Sequence, residues 1–152
     1  MGDRKVLARN RRAFHEYTVA DRLEVGIILH GTEVKSMRRG QFAFADAYAR
    51  IRGNGLWLIG LHITEYTHGN LFNHEPLRER QLLCHSGELA RLRRQVDEKG
   101  FTLIPLEFYL KQGLIKLDLG ICKGKKMYDK RESLKAKDQK REMDREMRNR
   151  GD

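Results

Sequence analysis

Strict alternation of apolar and polar residues is the feature that most narrows what this chain can fold into. Ile115, Leu117, Leu119 and Ile121 alternate with Lys116 and Asp118. The first set therefore faces in and the second faces out, as in a half-buried strand. Ala45, Ala47, Ala49 and Ile51 alternate in the same way with Asp46, Tyr48, Arg50 and Arg52. Asn54-Gly55 then supplies two positive-φ residues for a type I′ turn, and LWLIGLHI returns, which predicts a β-hairpin over Asp46–Ile63.

Other segments extend the pattern. FHEYTVA (Phe14–Ala20) is rich in aromatic and β-branched residues and reads as a strand, and TEVKSMR (Thr32–Arg38) alternates as another. Phe101–Leu110 is a further strand, at an edge or bulged at Pro105, which has no N–H for a ladder. Pro76 opens a short helix over RERQLLCH. Ser86 caps a second helix, in which Leu89, Leu92 and Val96 recur at helical spacing and which Gly100 stops. DRLEVGIILHG carries both signals. Leu23, Val25, Ile27 and Leu29 alternate, while Asp21 and Glu24 resemble a capping box and Gly31 a helix-ending glycine, so its pattern alone leaves strand and helix open. Six or so short strands with helices between them predict a mainly β fold, an OB-like antiparallel β-barrel with two or three attached helices.

The alternation stops at Lys123. From there to Asp152 only Met127, Leu134, Ala136, Met143 and Met147 could seek a core, and seven of the residues from Lys123 to Lys140 are lysine. The net charge of +10 gathers at the two ends, leaving the middle close to neutral. Three parts are therefore expected: a basic N-terminal segment (1–13) mobile until bound, a barrel body (14–122), and a basic tail (123–152). The tail is expected to be disordered when free and helical in a polyanionic groove, because its charge pairs cannot offset ordering costs of about 1–2 kcal/mol per residue. Five cations around Tyr128 suit phosphate contact and stacking on an unpaired base; a merely solubilising tail is the plainer reading. Nucleic acid is the first partner such a charge pattern suggests. No apolar run approaches a membrane span and no signal peptide is visible, so the expected location is cytoplasmic.

Signs of catalysis are sparse. There is no phosphate-binding glycine loop, HExxH or GxSxG motif, and Cys84 and Cys122 have no CxxC spacing. Neither a cofactor nor a metal is expected. His15, His62, Glu65 and Asp46 read more simply as structural or turn residues than as catalytic ones.

Four blocks, NRRAFHEY (Asn10–Tyr17), LEVGIILHGTEVKSMRRG (Leu23–Gly40), HEPLRERQLL (His74–Leu83) and GICKGKKMYDKR (Gly120–Arg131), stand in one order along the chain. In these the chain resembles the bacterial SsrA-binding protein family, small protein B. The resemblance implies an OB-like barrel, and a helix rather than a strand over DRLEVGIIL. It implies a non-enzymatic role: binding the tRNA-like domain of transfer-messenger RNA (tmRNA, or SsrA RNA) in trans-translation, which rescues ribosomes stalled on messages without a stop codon. The implied partners are the ribosome with its small-subunit rRNA, and elongation factor Tu in the delivery complex, with the protein a monomer.

By the same resemblance Asn10, His15, Glu24 and Leu83 fall at positions tied to tmRNA, and Lys35, with Arg38 and Arg39, is expected to meet its phosphates. Leu83 is otherwise simplest as core packing, and Glu24 as a helix-capping acid. Lys123, Gly124, Lys125, Lys126, Tyr128, Asp129, Lys130 and Arg131 match the tail motif that enters the empty mRNA channel near the decoding centre. Tyr128 stands where many members carry histidine; it stacks but takes no positive charge. The alternatives are an OB-fold nuclease or RNA-modifying enzyme built on Asp46, Glu65 and a histidine, or a constitutive ribosomal protein.

Overall fold

The computed structural model describes residues 4–67 and 73–125. The expectations for Lys126, Tyr128, Asp129, Lys130, Arg131 and the rest of the tail lie outside the described residues. In chain order the elements are β1 (Arg4–Arg9), α1 (Arg11–Glu16), β2 (Tyr17–Ile27), α2 (Gly31–Arg38), β3 (Phe42–Ala43), β4 (Tyr48–Arg52), β5 (Gly55–Ile59), β6 (His62–Ile63), β7 (Arg80–Leu83), α3 (Ser86–Asp97), β8 (Thr102–Lys111) and β9 (Leu114–Gly124). The main sheet is antiparallel and runs β1-β8-β4-β5-β7-β2-β9, and β9 pairs back onto β8. That last pairing closes an OB-like barrel and leaves β1 as a flange on β8, while β3 and β6 form a separate small ladder.

The alternation of β9 survives intact: Ile115, Leu117, Leu119 and Ile121 all enter the barrel core. The opposite face is not simply solvent. Asp118 is also buried, and Cys122 joins Ala13, Ile104 and Leu106 in a second cluster that seats α1 on the barrel's outside. The β8–β9 register shifts between Pro105 and Glu107, so the proline lies at a bulge, and its other edge falls between the β4 pair at Leu103 and the β1 pairs that begin at Glu107.

Several elements differ from the sequence reading. Arg4–Arg9, expected to be mobile, pairs with β8. The predicted strand over Phe14–Ala20 begins only at Tyr17, because the Asn10 side chain accepts a hydrogen bond from the Ala13 N–H (3.1 Å) and starts α1. The helix implied for DRLEVGIIL is strand β2, so its period-two pattern decides, and Glu24 caps nothing. Thr32–Arg38, predicted as a strand, is helical: Glu33, Ser36 and Met37 are its buried residues, at three- and four-residue spacing.

The segment RERQLLCH, predicted as a helix, instead holds strand β7, with Arg80 and Leu82 pointing inward. β7 bridges β5 and β2, and closing the barrel outweighs the local helix signal of Pro76. The hairpin exists, but its loop is Gly53-Asn54, one residue earlier, since Arg52 pairs with Gly55 and only Gly53 (φ +61°) of the two has positive φ. That register keeps Ala49 opposite Leu58 and Ile51 opposite Leu56 on the core side. The returning strand ends at Ile59, and His62–Ile63 pairs with Phe42–Ala43. The second predicted helix begins one residue earlier than expected: His85 is its N-cap and Ser86 its first residue. Among the described residues no helix is long and apolar enough to cross a membrane.

Candidate nucleic-acid interface

Two of the residues singled out from sequence come together. Glu24 and Leu83 line one open cleft of about 530 Å³ whose floor is β2 from Leu23 to Gly26. One wall is the end of β7 with His85 and Glu88; the other carries Lys116 of β9. Gly26 pairs with both Leu83 and Lys116, so β2 is the shared floor of both walls. Leu83 is 50 % exposed and not a core residue, which corrects the packing role read from its sequence. A branched apolar side chain at the lip of a polar cleft suits contact with a base or sugar face.

Glu24 belongs to a row of acids on the barrel's outer face. It pairs across the ladder with Asp118, which in turn pairs with Glu107. Each acid has its own donor: Arg4 for Glu107, Arg22 for Asp118 (3.1 Å), and the Tyr109 hydroxyl with Lys111 for Glu24. The Tyr109 O–H, followed by Lys111, holds the Glu24 carboxyl below the usual range despite some burial. Burial pushes Asp118 upward against the pull of Arg22 and Arg4. The row is thus neutralised from within the protein, which lets an acid lie beside a polyanion.

α2 presents Lys35, Arg38 and Arg39 to solvent, with the Lys35 Nζ and Arg39 Cζ lying 5.5 and 5.2 Å from the Tyr66 ring centre. What fixes this helix was not legible in the sequence. Glu33 is fully buried and accepts from the guanidinium of Arg80, itself fully buried (2.7 Å), from Arg78 (2.6 Å), and from the His30 backbone N–H (2.7 Å). Arg80 also donates to the Leu61 carbonyl (2.6 Å) and the Pro76 carbonyl (3.0 Å). Burial drives the Glu33 carboxyl up, but Arg78, the His30 N–H and Arg80 together outweigh it and bring it to about 2. His74 adds a link to the Thr32 hydroxyl (2.9 Å), and the Ser36 hydroxyl donates to the Thr64 carbonyl (2.7 Å). The HEPLRER block is the clamp that holds α2 on the barrel.

The remaining candidates sit elsewhere. Asn10 is 7 % exposed, and its amide is engaged within the fold: besides capping α1 it donates to the Pro105 carbonyl at 2.8 Å. Its visible role is to position α1, whereas His15, in the last turn of that helix, is exposed. Lys123 and Gly124 are strand residues paired with Thr18 and Tyr17, and the Lys125 N–H donates to the Glu16 carbonyl. The Lys123 ammonium donates to the Lys99 carbonyl (2.6 Å) and lies 4.9 Å from the Phe101 ring centre. The basic segment therefore leaves the barrel at the Tyr17 end of β2. Seven residues separate that point from Glu24, roughly 23 Å at about 3.3 Å per residue. Asp46 pairs with Arg12 at 3.2 Å, and among the described residues no three His, Cys, Asp or Glu side chains gather as metal ligands.

Fold and surface define a small OB-like barrel with a solvent-open cleft at one place and a basic strand end at another. The chain matches the family model described as "SmpB protein" over residues 7–149, and it belongs to that family. It is 50 % identical to the SsrA-binding protein of Treponema denticola over 147 residues, covering 97 % of this chain and 96 % of the relative. It is 56 % identical to that of Treponema pallidum over 142 residues, covering 93 % and 92 %. Among solved structures it resembles a chain of "tmRNA-SmpB: a journey to the center of the bacterial ribosome", with a TM-score of 0.68, 44 % identity, and coverage of 81 % of this chain and 87 % of that one.

Proposed function

We propose that this protein binds the tRNA-like domain of tmRNA through the Glu24–Leu83 cleft and serves trans-translation as a non-enzymatic adaptor. The observation that carries this reading is the meeting of Glu24 and Leu83 in one cleft, although 59 positions apart in sequence. The names and structure of the relatives point the same way. An anchored carboxylate accepts from base amino groups, Leu83 meets an apolar base or sugar face, and Lys116 meets phosphate. Lys35 with Arg38 and Arg39 adds phosphate contacts from the α2 end, and His15 on α1 offers hydrogen bonding or stacking to a loop base.

The division of labour follows from β2. The body grips the RNA near Glu24, and the basic segment starting at Lys123, Gly124 and Lys125 departs from the strand's other end, free of the bound RNA. In this reading Lys126, Tyr128, Asp129, Lys130 and Arg131 continue into the vacant mRNA channel of a stalled ribosome, against small-subunit rRNA near the decoding centre. Delivery is with elongation factor Tu, and the protein acts as a cytoplasmic monomer.

Gel-shift titration with tmRNA tests the first half. Glu24→Gln and Leu83→Glu each weaken binding at least tenfold with the native far-UV circular dichroism spectrum retained, and log Kd rises with log salt by about 0.7 to 0.9 for each phosphate engaged. Equal affinity for an unrelated RNA of the same length overturns the reading. Peptide tagging on ribosomes stalled without a stop codon tests the second half.

A further inference from the structure

Resting on the reading of Glu24 just given, we propose that Tyr109 is a positioning residue of the RNA-binding cleft, its phenol fixing the Glu24 carboxylate as an acceptor for N–H donors of an unpaired base edge. Tyr109 faces away from the barrel core, since its neighbour Phe108 fills that core, yet it is only 1 % exposed. The guanidinium of Arg4, from β1, lies 3.6 Å from the ring centre and covers it. A buried tyrosine hydroxyl needs a polar partner, and this one donates to a carboxylate oxygen of Glu24, across the sheet on β2.

Lys111 approaches both oxygens at 3.3 Å, which leaves acceptor capacity toward the cleft. The two neighbouring acids of the row are held by arginines; Glu24 alone receives a neutral hydroxyl on a rigid, buried ring. Ordering that carboxylate during folding removes the cost of ordering it on binding. A fixed acid repels phosphate and accepts from base amino and imino groups, so it selects base edges over backbone.

The charged surroundings of Glu24 come from every adjoining element. β9 supplies Asp118 and Lys116, and β8 supplies Glu107 and Lys111. β1 supplies Arg4, β2 itself Arg22, and the far wall of the cleft His85 and Glu88. Removing the phenol leaves all of these in place.

The test uses the full chain and tmRNA. Tyr109→Phe weakens binding about tenfold, the scale of one hydrogen bond to a charged group. In a Glu24→Gln background the same change costs less than about twofold, because its effect passes through Glu24. Carbon-13 NMR of the free protein shows Glu24 titrating below the usual carboxylate range in wild type and within it in Tyr109→Phe. Binding by Tyr109→Phe accordingly fails at a higher pH than wild type as the solution is acidified. Lys111→Met removes the second donor without touching the buried ring, and shifts the Glu24 titration in the same direction but by less.

Wild-type affinity in Tyr109→Phe, or losses that multiply in full in the double variant, overturn the positioning role. Wild-type affinity in Glu24→Gln removes instead the reading on which it rests.

Discussion

Glu33→Gln takes one negative charge from a place where two arginines and a backbone N–H converge on it. The carboxyl titrates at about 2 in the fold against an ordinary 4.5. At about 1.4 kcal/mol per unit, that difference corresponds to roughly 3 kcal/mol of stability at neutral pH. The figure agrees with the 3–5 kcal/mol or so expected when one member of a buried pair is removed and the other left behind. The sign is fixed: the folded value lies below the unfolded one, so the contribution is complete above about pH 5 and is lost as pH falls toward 2.

Urea unfolding followed by far-UV circular dichroism, at several pH values between about 7 and 2.5, reads both effects. Glu33→Gln is less stable than wild type by about 3 kcal/mol at pH 7, and the gap narrows as the solution is acidified. Comparing the two proteins isolates Glu33 from the opposing shifts at Glu24 and Asp118. A loss below about 1 kcal/mol at pH 7, or a gap that stays constant with pH, refutes the assignment of this cluster as the clamp on α2.

Leu83→Glu, at a half-exposed lip, leaves the unfolding free energy within about 0.5 kcal/mol of wild type and weakens tmRNA binding at least tenfold in gel-shift assays. A chain ending at Lys125 keeps every described element, melts like wild type and binds RNA, but does not support tagging of stalled chains. One ending at Cys122 loses the pairs of Lys123 with Thr18 and Gly124 with Tyr17, and melts measurably lower by calorimetry. Gly120→Ala forces a methyl to within 2.7 Å of the Leu106 side chain and 2.9 Å of the Cys122 sulfur. It costs about 1–3 kcal/mol in urea unfolding as the cluster beneath α1 is overpacked.

What residue order settled alone was wherever one face is apolar and the other polar at period two. β9 is the clearest case, with all four inward residues as expected, and β2 shows that its own alternation was a better guide than the helix implied by resemblance. The bulge at Pro105 was legible because proline cannot donate to a ladder. Candidate site residues were legible only as names: Glu24 and Leu83 could be picked out, but neither their shared cleft nor the phenol on Glu24 could.

Tertiary structure decided the rest where polar groups occupy the interior. α2 hides from a pattern search because its buried stripe includes Glu33 and Ser36, and their burial is tolerable only once Arg80 and the Thr64 carbonyl arrive from elsewhere in the chain. β7 hides likewise, since an arginine fills an inward position where an apolar side chain would signal a strand. Hydrophobic periodicity is a local property, whereas the neutralisation of a buried charge depends on distant partners that sequence spacing does not reveal.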